Sequence, residues 1–312
     1  MHDKYPPEIS VIMPVYNTGQ FLEESIESIL NQTFNNFELI IVYDKSSDNS
    51  KEIIVRYMQS DERIILIENE IKSGIAAARN RGLEIARGKY IAVMDSDDIS
   101  LPNRLEKEYL FLENNPEFFL VGSQGIMVDE KGNYLQLIKC EKDPASLIKD
   151  YFSFVHSSLM YRNKGFMYRE KFILSDDYDF CLRLVSMKLK LINISDILVK
   201  YRFRRSGAMR SNINKVKVFD QKALEFYNQR LETGKDDYEL FDEKEILEIP
   251  NIDSKDYYLK FVIRYLILNN NIIEAKKYFE EYKEMISFKN KILYKIALKV
   301  PFVFKVRFKI MI

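Results

Sequence analysis

The segment Lys89-Tyr90-Ile91-Ala92-Val93-Met94-Asp95-Ser96-Asp97-Asp98 decides how the chain is read. Its first half is a short apolar run led by β-formers, which reads as a buried strand of a parallel sheet. It ends in three carboxylates within four residues. A carboxylate is costly to bury alone, so three at a strand end require a cation nearby. Open α/β sheets place their ligands at the carboxyl ends of parallel strands. If strand geometry persists, alternation sends Asp95 and Asp97 to one side and Asp98 to the other. Hard oxygen donors of this kind suit Mg2+ or Mn2+, and such ions usually hold substrate phosphates as well. The ten residues by themselves fit equally well an acidic turn in which Asp98 or Ser100 caps the next helix.

Toward the N-terminus the pattern repeats. Ile9 to Met13 reads as a strand stopped by Pro14, and Val15 to Gly19 as the loop after it. Phe21, Leu22, Ile26, Ile29 and Leu30 recur at helical spacing, with Glu23, Glu24 and Glu27 on the other face. Phe37 to Tyr43 is a second strand, closed by the turn-rich Asp44 to Ser50. A helix follows from about Lys51 to Met58, then a third strand from Arg63 to Glu68. Gly74 opens a helix that Gly88 closes from a C′ position. Strands alternating with helices at this spacing predict βαβ units and a parallel sheet whose polar strand ends converge on one edge.

Toward the C-terminus the alternation is lost. A helix is expected from about Asn103 to Glu113. Phe118 to Val128 reads as strand, with Asp129 to Asn133 as a hairpin turn. Asp150 to Tyr161 is mixed, Asp176 to Met187 helical, and Leu191 to Phe203 strand. From about Asn214 the chain is repeatedly amphipathic and helical.

Composition limits the options. The 312 residues suggest one large or two modest domains. Lys and Arg number 47 and so do Asp and Glu, so no global field points to nucleic acid. Cys140 and Cys181 are the only cysteines and lack metal spacing, which predicts reduced thiols in a cytoplasmic setting. The polar Met1 to Glu8 does not read as a signal peptide. No run of about 18 uncharged apolar residues is present to span a membrane.

Five segments in order then carry a resemblance. They are Val-Ile-Met-Pro-Val-Tyr-Asn (11–17), Ser-Ile-Leu-Asn-Gln-Thr-Phe (28–34), Ala-Ala-Arg-Asn-Arg-Gly (77–82), Gly-Lys-Tyr-Ile-Ala-Val-Met-Asp-Ser-Asp-Asp (88–98) and Ser-Asp-Asp-Tyr-Asp-Phe-Cys-Leu-Arg-Leu (175–184). Together they resemble the family 2 glycosyltransferases of the GT-A fold, over roughly the first two thirds of the chain. The resemblance implies an α/β GT-A catalytic domain over 1–211, with a mostly parallel sheet flanked by helices. Residues 1–98 would be its nucleotide-binding half and 99–211 its acceptor half, followed by an α-helical C-terminal region over 212–312. It also implies an inverting transferase that moves a sugar from a nucleotide-diphospho-sugar, first of all a UDP-sugar, to an acceptor hydroxyl in surface polysaccharide assembly.

The family pattern carries roles onto residues. Asp177 maps onto the catalytic base, in a cluster with Asp176 and Asp179. Clustered carboxylates raise one another's pKa, which helps a base near neutrality, while helix N-terminal charge accounts for Asp176 and Asp179. Asp97 maps onto the metal ligand, joined by Asp95, which also faces the ribose. The expected donor-binding set is Pro14, Tyr16, Asp44, Arg79, Asp95, Ser96, Arg204 and Arg205. Tyr16 would lie beside the base, where aromatic stacking is favourable. Asp44 matches the second acid of the family's Asp-Asp-Gly-Ser, which reads a base N–H. Tyr43 and Lys45 depart from that pattern, which leaves base selectivity open. Arg79 either meets a phosphate or orders Asp95, with an exposed helical arginine as the alternative. Gly74 and Asn80 frame the same pocket by analogy. Arg204 and Arg205 stand where relatives often carry a histidine facing the diphosphate, and a guanidinium could neutralise it. His156 fits either the acceptor pocket or a hydrogen-bonded core position.

The stretch Phe288 to Ile312 holds seven Lys or Arg and no acid. A basic amphipathic end over 286–312 suits peripheral contact with an anionic membrane face near a lipid-linked glycan acceptor, or else a helix docked on the protein. A non-catalytic sugar-nucleotide-binding relative is the alternative function. A nucleotidyltransferase or a dinucleotide dehydrogenase would need a Gly-rich loop after the first strand, and Pro14 to Gly19 supplies none.

Overall fold

The computed structural model describes residues 6–143, 154–205, 212–250 and 255–282, together with Leu298. The predicted tail over 286–312 therefore lies outside the described residues, apart from Leu298.

Four parallel strands form the first half of the sheet: β1 (Ile9–Val15), β2 (Phe37–Asp44), β3 (Ile64–Asn69) and β4 (Tyr90–Val93). Helices α1 (Gly19–Leu30), α2 (Ser50–Ser60) and α3 (Ile75–Ile85) connect them. The spatial order is β3-β2-β1-β4, so the chain builds outward from β1 and then crosses to its other side. Strand alternation distributes the core. Val11, Met13, Leu39 and Ile41 pack on one face with Leu22 and Ile26 of α1. Ile12, Ile40 and Val42 pack on the other with Ala76 and Ala78 of α3.

The second half of the sheet is mixed. β5 (Ile99–Ser100) and α4 (Arg104–Asn114) follow β4, then β6 (Phe118–Val128) and β7 (Tyr134–Ile138) form a hairpin. The short β8 (Met160–Arg162) inserts antiparallel between β4 and β6. After α5 (Asp176–Ser186), the long β9 (Lys190–Arg202) runs parallel to β6 and antiparallel to β5. Near that seam Arg104 is fully buried. Its Nη2 donates to the carbonyls of Val93 (2.9 Å) and Leu159 (3.2 Å), and its Nε faces Glu108 at 3.1 Å.

Two punctuation marks act differently from their sequence reading. Pro14 does not stop β1, which runs to Val15. The β1–β4 ladder ends at Ile12–Val93, while pairing with β2 continues through Pro14. Beyond Ile12 the strand is an edge on the β4 side, and an edge tolerates a missing N–H. Gly88 is not a C′ residue either, because α3 ends at Ile85 and Ala86 follows in extended conformation. Its need for glycine comes from close approach: a Cβ there would lie 2.4 Å from the Ser10 nitrogen.

The C-terminal helices are α6 (Ile213–Thr233), α7 (Lys244–Leu247), α8 (Lys255–Leu268) and α9 (Ile272–Tyr282). Among the described residues no helix is long and apolar enough to cross a membrane. α6 shares one cluster with α5, in which Phe219, Ala223 and Phe226 meet Phe172, Tyr178 and Leu182. α8 and α9 share another with the β6–β7 hairpin, and Leu298 is buried in it. The change of architecture near residue 212 thus carries continuous packing across it. Cys140 and Cys181 are free and buried, as expected of reduced thiols.

Phe219 is buried completely, and its ring lies tilted against that of Phe172, 5.9 Å between centroids. Phe219→Ala should cost about 3–5 kcal/mol and shift a single urea transition. A loss under about 1 kcal/mol would show that α6 does not share the catalytic core.

Candidate active site

β4 ends at Val93, so strand alternation does not run on through the acids, and a turn closed by the Asp98 N–H to the Asp95 carbonyl at 3.2 Å separates them instead. Asp98 faces inward. Its Oδ1 accepts from the Arg202 N–H at 2.7 Å and its Oδ2 from the Ser157 hydroxyl at 2.5 Å. Burial pushes its carboxyl well above the usual range, and Asp97 and Asp95 push it further. Asp95 and Asp97 remain partly open to solvent. Asp97 pairs with Arg204. Burial nonetheless raises Asp97, with Arg204 drawing it back and Asp95 adding to the rise. Ser96 is buried and accepts a hydrogen bond from Thr18 Oγ1 at 2.9 Å, which ties this turn to the loop after β1.

Beneath the turn lies Arg79, only 3% exposed. Its Nη2 donates to Asp95 Oδ1 at 2.8 Å and lies 3.1 Å from His156 Nδ1. Its Nη1 pairs with Asp176. Of the readings open from sequence, the one in which Arg79 orders Asp95 matches this geometry, and the exposed arginine does not. Burial alone would raise Asp95, but Arg79 and His156 outweigh it and hold that carboxyl below the usual range. The other His156 ring nitrogen, Nε2, lies 3.1 Å from the Tyr168 hydroxyl. His156 is therefore a hydrogen-bonded histidine under Asp95. Asn80 fixes the irregular segment between β8 and α5 through two bonds to the Tyr168 backbone, at 2.8 and 2.9 Å.

Asp177 opens α5 beside Asp176. It is half-buried, and its Oδ1 accepts from the Tyr178 N–H at 2.9 Å. Ser175 before it adopts the left-handed conformation, φ 61°. From α6, Asp220 bonds to Ser175 and faces Asp177. Burial, partly offset by Ser175 and reinforced by Asp177, pushes Asp220 up to about 6. Asp220 lies outside every recognised motif, and nothing in the sequence marks it.

The ends of β1 and β2 form the other end of the site. Tyr16 is 40% exposed, with Lys72 Nζ 4.4 Å from its ring centroid. Asn17, at φ 51°, joins the two strand-end loops. Its N–H donates to Ser46 Oγ and its Oδ1 accepts from the Ser47 N–H. Asp48 accepts from the Gly19 N–H at 2.7 Å, and a Cβ on Gly19 would meet Asn49 Oδ1 at 2.1 Å. An Asn at a strand end was the available signal for Asn17. Lys72 had none. Asp44 is buried and already accepts four hydrogen bonds from the segment that leads into α3.

The two arginines after β9 separate. Arg204 joins the Asp95–Asp97 turn. Arg205 is engaged with the hairpin turn instead. Its N–H and Nε reach the Glu130 carboxylate at 2.7 and 2.9 Å, and its guanidinium lies over Tyr282. The basic Arg205 expected beside a diphosphate is thus drawn to an acid that the hairpin presents.

A parallel strand fan that ends in Asp-Ser-Asp-Asp, coupled through one arginine to a second acid pair on α5, defines a nucleotide-sugar transferase of the GT-A fold. The comparisons agree. The profile described as Glycosyl transferase family 2 matches residues 10–181, and the chain belongs to that family. An uncharacterized glycosyltransferase of Methanocaldococcus jannaschii is 43% identical over 227 residues, covering 70% of this chain and 78% of that protein. The Escherichia coli protein WfgD, named a UDP-Glc:alpha-D-GlcNAc-diphosphoundecaprenol beta-1,3-glucosyltransferase, is 31% identical over 67% of this chain and 82% of its own length. The mannosyltransferase PcManGT of Pyrobaculum calidifontis, solved with GDP-Man and Mn2+, shares the fold at a TM-score of 0.56 and 16% identity, over 95% of this chain and 87% of that one.

Arg79→Met should leave Asp95 and Asp176 facing each other in the interior without their cation. The expected loss is about 3–5 kcal/mol in urea unfolding, and Arg79→Lys should recover little of it, because one ammonium cannot reproduce the planar fork. A loss below about 1 kcal/mol would contradict the balancing role. Asp220 gives a prediction with a definite sign. Its folded pKa of about 6 exceeds the ordinary 3.8, so the folded state binds the proton better and stability falls as pH rises through that window. Asp220→Asn should therefore raise the melting temperature at pH 7.5, with a gain that shrinks toward pH 4. A gain independent of pH would refute this origin.

Proposed function

We propose that this glycosyltransferase is an inverting enzyme that moves a sugar from a UDP-sugar to an acceptor hydroxyl, with Asp177 as the base. The observation that carries the reading is the division of labour at the start of α5. Asp176 is consumed by Arg79, while Asp177 stays half-exposed and is bonded to its own helix backbone. A base must reach both a substrate hydroxyl and a stable anchor, and Asp177 has that position. It takes the proton from the acceptor hydroxyl. The freed oxygen bonds to the anomeric carbon as the bond from that carbon to the diphosphate oxygen breaks on the opposite face. Tyr16 supplies a stacking surface for the base, and Arg204 places a guanidinium where diphosphate charge would collect.

The acids after β4 also fit a divalent cation. Asp97 and Asp95 each commit one carboxylate oxygen to an arginine and keep part of the group open. Among the described residues no three His, Cys, Asp or Glu converge as a closed metal cage. That donor set suits an ion that takes its remaining ligands from substrate phosphates and water, as Mg2+ and Mn2+ do. When bound, the ion would supply charge neutralisation for the departing diphosphate. Asp97 is the residue proposed to hold it, with Asp95.

A glycan carried on a lipid diphosphate is the acceptor class this reading favours, supported by the acceptor in the name of the E. coli relative. The seven basic residues from Phe288 onward would suit an anionic membrane face near such an acceptor.

Asp177→Asn should keep nucleotide affinity within about twofold and lower transfer by about 10^3-fold or more. Calorimetry with UDP and Mn2+ beside a transfer assay reads both. If donor affinity collapses together with rate, Asp177 belongs to the donor site.

A further inference from the structure

The end of β9 touches the donor edge and the C-terminal helices at once, because consecutive side chains take opposite sides. On the donor side, the Arg202 N–H donates to Asp98 Oδ1 at 2.7 Å and its Nε to the Asp97 carbonyl at 2.8 Å, while its Nη2 pairs with Glu24 of α1. Arg204 pairs with the Asp97 carboxylate. Both guanidiniums lie over the Phe21 ring of α1, at 4.9 and 5.6 Å from its centroid. A guanidinium carries five N–H donors, so the pair with Asp97 leaves others for a phosphate.

The residues between them face the other way. Val199 and Phe203 are buried in the apolar cluster that α8 and α9 share with the β6–β7 hairpin, and Tyr201 packs against it. The Phe203 N–H donates to the Val128 carbonyl at 2.8 Å, and its ring stacks on Phe261 of α8 with centroids 4.3 Å apart. Arg205 lies 4.7 Å from the centre of the Tyr282 ring at the end of α9 and is bonded to Glu130 of the hairpin. The next hairpin residue, Lys131, bridges to Glu274 and Glu281 of α9, both at 3.4 Å. Arg204 therefore stands between two residues that are each held on the C-terminal helices. An arginine that must be ordered to meet an anion loses rotamer and backbone freedom, and flanking residues already fixed remove part of that cost.

We propose that α8 and α9 belong to the donor site, with Phe261 and Tyr282 as positioning residues that hold Arg204 toward the donor's diphosphate through residues 203 and 205. This rests on the proposed placement of Arg204 at that diphosphate. The C-terminal helices then act on donor affinity as well as on stability, although the family profile ends before them.

The test is calorimetric binding of UDP and UMP to the full chain with Mn2+. The probes differ by one phosphate, so the ratio of their affinities isolates the contact at the second phosphate. Wild type should prefer UDP. Arg204→Met should lower that ratio by roughly tenfold, the size of one charge-assisted hydrogen bond. Phe261→Ala should reproduce most of this loss, and the double variant should have the ratio of Arg204→Met alone, because both act through one contact. A helix that only stabilised the fold would weaken both nucleotides alike or neither, and either result in Phe261→Ala overturns the proposal, as do additive losses in the double variant. Should Phe261→Ala fail to fold, Tyr282→Leu, which removes the half-buried ring beside Arg205, takes its place with the same expected loss and the same overturning results. If wild type binds neither nucleotide, the donor reading falls and this inference with it. If wild type does not prefer UDP, or Arg204→Met leaves the ratio unchanged, the placement of Arg204 falls and takes the inference along. If Arg204→Met lowers the ratio and Phe261→Ala does not, the inference alone falls.

Discussion

A buried guanidinium needs anions around it, and Arg79 has two, one from each half of the site. Asp95 comes from the turn after β4 and Asp176 from the first turn of α5, elements separated by some eighty residues of sequence. Neither acid could be buried there alone without losing its charge. The cation therefore fixes the distance between the acids that would face the donor and those that would face the acceptor. His156 and Tyr168 complete the ring of partners around it. Arg104 acts similarly one layer down, where its donors satisfy the carbonyls at the seam between β4 and the residue before β8. The active-site edge is thus stapled twice by arginines that never reach the surface.

The loops at that edge are fixed by a second principle, in which short polar side chains take the place of missing ladder bonds. Beyond the strand ends the backbone has no sheet partner, so Asn17, Asp44, Asp48 and Ser96 supply local bonds instead. Each links two loops that are far apart in sequence. Each such bond occupies an acceptor site of the side chain that makes it. That arithmetic separates Asp44 from Asp177, although both are acids at a strand end or helix start.

The same arithmetic explains what the sequence could and could not disclose. The strands β1, β2 and β4 were legible because both faces are buried and their apolar runs are continuous, and the half-buried edge strand β3 from its apolar run alone. Asp98 parts from Asp95 and Asp97 through a turn and not through the period of two, because β4 ends at Val93. Pro14 and Gly88 misled because their local preferences are real but were overruled by sheet topology: one sits on a buried strand edge left unpaired on the β4 side and the other against the backbone of β1. The antiparallel insertion of β8 was not legible, since three residues carry no periodicity. Arg204 and Arg205 are adjacent and alike, and only the position of Glu130 on the hairpin separates them. Composition places residues on elements, but it cannot count the hydrogen bonds each polar group has already made.

That limit bears most on the start of α5. The family profile ends at residue 181, within α5, so the matched region contains Asp177 but not what supports it. The support is α6, whose Phe219 and Phe226 pack under α5 and whose Asp220 bonds to Ser175 at the left-handed residue before the helix. A helix N-terminus held from outside can be re-aimed by small changes in that outside element without touching an acid. The turns after β1, β2 and β4 have no such freedom, because they are bonded to one another. The fold therefore joins an edge of cross-bonded turns to a helix start that a separate layer holds in place.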